Sequence, residues 1–325
     1  MDDIIIALDG DDEIEVSSGN DFVDGGEGND ELIVDYSTSE EDLRVYLYNY
    51  LDGYSNNGYI EIYFPFAGNN NYIDFYSVES FVFNSGSGHD FIDMGYDNYS
   101  DDQVNGGAGD DVIFAGLGND TIDGGTGLDV LRLDFAQSQT GVTSFLTDGN
   151  SGQYSDGVNT ISFTNIESID VMGSSYDDVL VAITGDSFNQ STMYPMGSWV
   201  DGFEGQDQLV ADYSQSTEDL QLNLNSYGGS GSIDVYSNMS NYTSRIDFHN
   251  IESFAINSGS GHDNIELGYD NFSDDQVNAG AGDDFIRAGL GNDTIDGGTG
   301  LDVLRLDFAQ SQTGVTSFLT DGNSG

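Results

Sequence analysis

The 325-residue chain contains no lysine and only five arginines, which face 59 aspartates and glutamates and leave a formal net charge of -54. Ion pairs can therefore neutralise only a small share of the acids. Nucleic acids and anionic membrane surfaces are excluded as partners, because binding to them depends on clustered basic side chains. Because 37% of the residues are apolar and only two are proline, a disordered acidic tail is also disfavoured. The composition favours a folded protein that takes up cations.

Cysteine is absent and histidine occurs three times. These absences exclude disulfides, thiolate zinc sites and cysteine nucleophiles, and they leave almost no material for imidazole metal sites or histidine-based triads. No apolar run approaches the length of about 18 residues that a membrane-spanning helix needs, and the first residues lack the basic segment of a signal peptide. The sequence therefore predicts a soluble chain without a membrane span.

Glycine, in contrast, is abundant and regularly placed, with 44 residues in the chain. From Gly106 the sequence reads GGAGDDVIF, AGLGNDTID and GGTGLDVLR, three consecutive nine-residue units. Glycine recurs at the first, second and fourth places, aspartate stands at the sixth place and an aliphatic residue at the eighth. The same frame returns at residues 7–33, 85–105 and 258–305. Such internal periodicity predicts a repeat architecture.

The frame persists where the glycines are lost, because the sixth place stays aspartate and the eighth place of the same units stays aliphatic. His89 and His262 occupy the variable fifth place and are interpreted as exposed turn residues. The sixth-place residues are Asp12, Asp21, Asp30, Asp90, Asp102, Asp111, Asp120, Asp129, Asp178, Asp207, Asp263, Asp275, Asp284, Asp293 and Asp302.

These units resemble GGxGxDxUx, where U is a large aliphatic residue, the calcium-binding nonapeptide of the repeats-in-toxin (RTX) or haemolysin-type family. The resemblance implies an all-β fold, a parallel β-roll or β-solenoid. In such a roll the first six residues of a unit form a turn and the last three form a strand. Two units would make one coil, and successive turns on the same edge would hold Ca²⁺ between them.

The residue types give this chemistry a physical reason. Glycines allow positive φ angles and turn backbone carbonyls toward a common centre. Ca²⁺ takes about six to eight hard oxygen ligands from carboxylates and carbonyls. We therefore expect Ca²⁺ as cofactor, bound by the sixth-place aspartates and by glycines of the fullest tracts. These glycines are Gly106, Gly109, Gly116, Gly118, Gly124, Gly127, Gly280, Gly282, Gly289, Gly291, Gly297 and Gly300.

The two-unit coil predicts which aspartates lie together on one edge. Asp111 and Asp284 are expected to serve two ions each, whereas Asp178 and Asp207 belong to isolated units and Ser198 replaces aspartate in the unit before Asp207. The expected pairs are Asp12 with Asp30, Asp90 with Asp111, Asp102 with Asp120, Asp111 with Asp129, Asp263 with Asp284, Asp275 with Asp293 and Asp284 with Asp302.

Between the tracts lie alternating runs that predict β-strands. Each run ends in a return to the repeat, such as VESFVFNSGSGHD or IESFAINSGSGHD, which places Glu79, Glu167 and Glu252 just before the renewed frame. We predict β-roll tracts at 1–34, 85–133 and 258–306, a degenerate tract at 173–211, β excursions at 35–84, 134–172 and 212–257, and a truncated excursion at 307–325. Residues 84–152 recur at 257–325 with seven substitutions, so a fragment of a longer tandem array is expected.

The leading hypothesis for function is a non-catalytic, calcium-folded structural or adhesive segment of a secreted bacterial protein, extracellular or at the cell surface. The family resemblance implies type I export. An alternative is an accessory β-roll of a secreted enzyme or toxin, such as a protease, lipase, epimerase or haemolysin, although neither HExxH nor a GxSxG elbow in a strand-to-helix setting occurs. A surface-layer protein shares the same features. The aromatic stretch from Tyr46 to Phe81 suggests a further hypothesis, a surface that binds cell-surface or carbohydrate partners. The alternative is that these aromatic residues only pack within the β-sheet.

Overall fold

The computed structural model describes residues 2–49, 57–65, 70–95, 100–183, 197–225, 229–236, 242–268, 273–306 and 308. Every regular element in these ranges is a β-strand, which confirms the all-β prediction. The same ranges contain no helix long and apolar enough to cross a membrane. The chain divides into two compact units, one formed by Met1–Phe135 and Ser144–Val171, the other by Ala136–Thr143 and Met172–Gly325.

The first unit consists mainly of two sheets with the strand orders β1-β3-β7-β6-β5-β9-β11-β13-β17 and β2-β4-β8-β10-β12-β16-β15-β14. The strands are β1 (Ile4–Ile6), β2 (Glu13–Val16), β3 (Asp21–Asp24), β4 (Glu31–Asp35), β5 (Arg44–Asn49), β6 (Gly58–Tyr63), β7 (Asn70–Tyr76), β8 (Ser80–Asn84), β9 (Phe91–Asp93), β10 (Gln103–Asn105), β11 (Val112–Phe114), β12 (Asn119–Asp123), β13 (Val130–Asp134), β14 (Thr143–Asp148), β15 (Ser151–Ser155), β16 (Thr160–Thr164) and β17 (Ser168–Met172).

The second unit repeats the pattern, with the strand orders β19-β23-β22-β21-β25-β27-β29 and β18-β20-β24-β26-β28. Its strands are β18 (Val179–Val181), β19 (Ser198–Asp201), β20 (Gln208–Asp212), β21 (Asp219–Leu224), β22 (Gly231–Tyr236), β23 (Tyr242–His249), β24 (Ser253–Asn257), β25 (Asn264–Glu266), β26 (Gln276–Asn278), β27 (Phe285–Arg287), β28 (Thr294–Asp296) and β29 (Val303–Arg305).

The nine-residue frame sets the topology of the tracts. Consecutive repeat strands alternate between the two sheets, so a strand pairs in parallel with the strand two units away. Ile113 on β11 lies opposite Leu131 on β13, and Val104 on β10 lies opposite Ile122 on β12, a shift of 18 residues in both sheets. Two nonapeptides therefore make one coil, as the family resemblance implies.

The eighth place supplies the core between the two sheets. Ile92, Ile113, Ile122 and Leu131 are completely buried, each on a short repeat strand. Burying one such side chain contributes roughly 1.5–3 kcal/mol. Because each nine-residue unit buries few apolar side chains, the stability of a tract depends heavily on its turns.

The excursion strands continue the sheets of the tracts. In the first unit, β5 pairs in parallel with β9, β6 pairs antiparallel with β5 and β7, and β7 pairs in parallel with β3. Val45 lies opposite Ile92, and Phe75 lies opposite Val23. The excursion β21–β22–β23 of the second unit has the same arrangement, with Phe248 fully buried where the first unit has Phe75. The first and last strands of each of these two excursions therefore pair in parallel with repeat strands.

Candidate metal centres

Glycine positions bring the turns of neighbouring coils into direct contact. In the turn formed by residues 124–129, Gly125 has φ +92° and a side chain there would collide with the carbonyl oxygen of Gly107 in the adjacent coil. A residue with a Cβ is disfavoured both by the positive φ and by the close approach. The carbonyl oxygens of one turn therefore face the next turn with no side chain between them.

Sixth-place aspartates of successive coils are joined by hydrogen bonds into what we call an aspartate ladder. Asp111 Oδ1 accepts the backbone N–H of Asp90 at 2.7 Å, and the N–H of Asp111 donates to Asp129 Oδ1 at 2.8 Å. Each carboxylate thus reaches back by one coil through one of its oxygens, which leaves the other oxygen for a second partner.

The structure brings together all seven expected aspartate pairs, each through one N–H to Oδ1 hydrogen bond of 2.7–3.2 Å. It also joins Asp178 to Asp207 at 2.8 Å across 29 residues. The seven pairs are Asp12 with Asp30, Asp90 with Asp111, Asp102 with Asp120, Asp111 with Asp129, Asp263 with Asp284, Asp275 with Asp293 and Asp284 with Asp302.

Twelve of the fifteen predicted aspartates are buried, and Asp12, Asp293 and Asp302, which lie near the ends of their ladders, are half-buried. Ionised carboxylates are rarely buried to this degree unless they are paired with cations. The buried residues are Asp21, Asp30, Asp90, Asp102, Asp111, Asp120, Asp129, Asp178, Asp207, Asp263, Asp275 and Asp284.

The second carboxylate oxygen of many ladder residues is buried without a hydrogen bond. This applies to Oδ2 of Asp30, Asp111, Asp120, Asp129, Asp207 and Asp284. Burial is the largest cause of the shifts that raise the pKa of Asp111 to about 9 and those of Asp120 and Asp129 to about 8. An orphaned oxygen on a buried acid lacks a positive partner, and a bound cation is one way to supply it.

Carbonyl oxygens lie beside these orphaned carboxylate oxygens. A Cβ built on Gly106 would lie 2.6 Å from the carbonyl oxygen of Gly124 and 2.7 Å from Asp111 Oδ2, so an oxygen from each of two coils borders the same point. No group of three or more acidic or histidine side chains that could hold a metal occurs among the described residues. Carbonyls must therefore complete any site, and this all-oxygen donor set fits Ca²⁺ rather than a transition metal.

Three stretches of the chain match a family model described as the RTX calcium-binding nonapeptide repeat (4 copies), at residues 1–32, 96–131 and 269–304. The chain carries RTX calcium-binding repeats. No curated protein matches the chain. The matches fall on three stretches of the predicted tracts and leave out the degenerate segment that contains Asp178 and Asp207. Repeats of this family bind calcium, in agreement with the donor set.

The predicted glycines of the RTX repeats lie where neighbouring coils meet. Gly116 and Gly289 have φ of 82° and 85°, in the left-handed region that favours glycine. Gly297 faces the aspartate of its own turn, Asp302, at 2.9 Å from its Cβ position. A side chain would meet a carbonyl oxygen of an adjacent segment at Gly106, Gly109, Gly118, Gly124, Gly127, Gly280, Gly282, Gly291 and Gly300.

Sequence reasoning missed a role for the fifth place of the RTX repeats, whose residue type varies from unit to unit. Asp42 accepts the N–H of His89 at 2.9 Å, His89 Nδ1 accepts the N–H of Asp110 at 2.7 Å, and Asp110 accepts the N–H of Leu128 at 3.0 Å. The fifth place thus forms a second, outer ladder that runs opposite to the aspartate ladder. The available signal was the frequency of aspartate, asparagine and histidine at this place.

A second missed feature concerns the return to the repeat. Glu79, Glu167 and Glu252 each accept the N–H of the last aspartate of a ladder, at 2.8, 2.9 and 2.9 Å. Their common position immediately before each renewed RTX frame was visible in the sequence. Their contact was not, because it spans 38–49 residues.

Proposed function

We propose that the chain is a calcium-folded, non-catalytic structural or adhesive segment of a secreted bacterial RTX-type protein. The observation that carries the proposal is the buried, orphaned Oδ2 of the aspartate ladders. In the Ca²⁺-free chain, folding must bury ladder carboxylates against one another. In the Ca²⁺-bound chain, the residues that would hold the ion are the ladder aspartates and the carbonyls of the adjoining turns, and the ion supplies the missing positive charge.

The dependence on Ca²⁺ ties this function to a compartment. For a site with a Kd of about 10⁻⁴ M, which is typical of extracellular modules, millimolar Ca²⁺ contributes about 1.4 kcal/mol per site. Submicromolar Ca²⁺, as in a cytosol, contributes almost nothing at such a site. The chain is therefore proposed to stay unfolded before export and to fold outside the cell, which supports an extracellular or cell-surface location and type I export.

Far-UV circular dichroism of the full chain tests the proposal. The chain in excess chelator is expected to lack most of the β signal, and millimolar Ca²⁺ is expected to restore it. Mg²⁺ at the same concentration is the control, because its smaller radius and octahedral preference suit a carbonyl-rich site poorly. A chain that is fully folded in chelator and unchanged by Ca²⁺ would contradict the proposed function.

An aromatic row on the outer face of the first unit supports the adhesive part of the proposal. The ring centroids of Tyr46 and Phe91 are 5.5 Å apart, those of Phe91 and Phe114 are 5.3 Å apart, and the guanidinium of Arg132 lies 5.1 Å from the Phe114 ring. Tyr48 continues the row and is 41% exposed. These rings face outward from the core, where they offer stacking surfaces to a carbohydrate.

Glycan binding by Ca²⁺-loaded chain tests this part. Tyr48→Ala and Phe91→Ala are expected to weaken retention on a polysaccharide matrix, whereas Phe145→Ala, an exposed aromatic on β14, serves as the control. Equal retention of all variants would refute the proposed adhesive role of the aromatic row. It would not contradict the proposal that the segment folds with calcium.

A further inference from the structure

Each of the three excursions at 35–84, 134–172 and 212–257 carries the same three-residue device just before its last strand, which we call the return tripeptide. The three examples are Ser77-Val78-Glu79, Asn165-Ile166-Glu167 and Asn250-Ile251-Glu252. The first residue has a left-handed backbone in every case, with φ of 52°, 54° and 51°. The middle residue is buried, with at most 2% exposed. A non-glycine residue in this conformation costs free energy, so its threefold recurrence indicates that the conformation is needed.

The glutamate of the tripeptide takes the place that an aspartate of the next coil would fill. Inside a ladder, the N–H of Asp111 donates to Asp129 Oδ1 at 2.8 Å. At the end of the same ladder, the N–H of Asp129 donates to Glu167 Oε2 at 2.9 Å. The N–H of Glu167 donates in turn to the carbonyl of Asp129 at 3.0 Å. The extra methylene of glutamate allows three residues to replace a six-residue turn.

The left-handed residue supplies the carbonyl that belongs beside this carboxylate. Inside the ladder, the Cβ position of Gly106 faces the carbonyl oxygen of Gly124. One coil further on, the Cβ position of Gly124 faces the carbonyl oxygen of Asn165. The other two tripeptides repeat this arrangement, with Gly25 facing Ser77 and Gly202 facing Asn250. A carbonyl oxygen and a carboxylate oxygen, the two oxygen types that lie between neighbouring coils inside a ladder, are therefore both present at the end of each of these three ladders.

The last aspartate of each of these three ladders also carries an unsatisfied oxygen. Asp30, Asp129 and Asp207 are at most 1% exposed, and their Oδ2 atoms have no hydrogen-bond partner. We propose that each return tripeptide completes one additional calcium site at the end of its ladder, pairing Glu79 with Asp30, Glu167 with Asp129 and Glu252 with Asp207. This inference rests on the proposed function, because it extends the calcium sites beyond the nonapeptides.

Two glutamine variants with matched controls test the inference. Glu79→Gln and Glu252→Gln keep an amide oxygen that can accept the aspartate N–H, but they remove the charged ligand. Glu27→Gln and Glu204→Gln remove the same charge from exposed third-place residues of the same two turns. Bound Ca²⁺ per full-length chain is measured by equilibrium dialysis, and folding is checked by circular dichroism in saturating Ca²⁺.

Each of the two return variants is expected to bind one Ca²⁺ fewer than the unaltered chain, and the double variant two fewer, with folding and both controls unchanged. A double variant that binds as many ions as the unaltered chain would overturn the inference and leave the proposed function intact. Equal losses in the controls, or loss of folding in saturating Ca²⁺, would also overturn it, because general charge or structural support would then explain the effect. An unaltered chain that binds no Ca²⁺ would refute the proposed function itself.

Discussion

Replacing Asp111 by asparagine is expected to have opposite effects on the Ca²⁺-free and Ca²⁺-bound chain. Asp111 is completely buried, its Oδ1 accepts the N–H of Asp90, and its Oδ2 has no hydrogen-bond partner. Burial is the first cause that raises its pKa from 3.8 to about 9, and the neighbouring carboxylates of Asp90 and Asp129 add to the rise. Asparagine retains an oxygen for Asp90 and removes the ionisable group.

The magnitude follows from the difference in pKa between the folded and unfolded chain. The folded Ca²⁺-free chain holds a proton on Asp111 that the unfolded chain releases above about pH 4, so the contribution of Asp111 to stability is highest below that pH and falls as pH rises toward 9. Between pH 3.8 and 7 the loss is about three pH units at 1.36 kcal/mol each, or roughly 4 kcal/mol. The variant is spared this loss, but with Ca²⁺ present it lacks a charged ligand.

Far-UV circular dichroism under two conditions measures both effects. In chelator, the unaltered chain is expected to gain β signal as pH falls, and Asp111→Asn is expected to gain it at higher pH. At pH 7 with Ca²⁺, the variant is expected to need more Ca²⁺ for half-maximal folding. Asp110→Asn, which removes the same charge from the half-buried neighbouring position, should show much smaller shifts. A variant that is destabilised under both conditions would refute the reasoning.

Three further changes test the turns, the core and the ladder. Gly125→Ala is expected to cost more than about 4 kcal/mol of unfolding free energy, because a Cβ there collides with the adjacent coil. Gly157→Ala, with similar φ and open space, should cost only about 1–2 kcal/mol. Equal costs in urea unfolding with Ca²⁺ would contradict the close approach at Gly125. Leu131→Ala should lower the free energy of unfolding by about 2–5 kcal/mol in the same assay. A loss below about 1 kcal/mol would exclude a role for Leu131 in the core. Asp207→Ala should reduce the number of bound Ca²⁺ ions as much as Asp111→Ala, measured by equilibrium dialysis. A clearly smaller loss would show that Asp207 contributes to one calcium site and not to two.

The periodic part of the molecule could be predicted from sequence because local rules repeat there. Aspartate at the sixth place and an aliphatic residue at the eighth define a nine-residue unit, and a two-unit coil then dictates that Ile113 lies opposite Leu131. The seven aspartate pairs follow from the same arithmetic without any knowledge of long-range contacts. The glycines predicted as part of the site lie at the coil contacts for the same reason, since only there does a missing Cβ permit close approach.

The non-periodic contacts could not be predicted in this way. Asp207 belongs to an isolated unit of the sequence, yet the structure gives it Asp178 on one side and Glu252 on the other, 29 and 45 residues away. Both contacts depend on where an excursion re-joins the sheet, which no local spacing specifies. The outer ladder could not be predicted because aspartate, histidine and leucine all occur at the fifth place. Each contact there is donated by a backbone N–H, which any residue can supply, so only the accepting side chain of the neighbouring coil is restricted in type.

The aspartate ladders explain how the excess of acidic residues affects folding with and without Ca²⁺. Neighbouring strands of a sheet lie about 4.8 Å apart, and two carboxylates at about that separation repel each other by roughly 3 kcal/mol at an effective dielectric constant of 20. A ladder such as Asp90, Asp111, Asp129 and Glu167 repeats that repulsion at every coil when its acids are ionised. A divalent cation between two carboxylates reverses the sign of the interaction. The same acids that hold the coils apart without Ca²⁺ are therefore the ones that join them when the ion is present, and five arginines are too few to substitute for it.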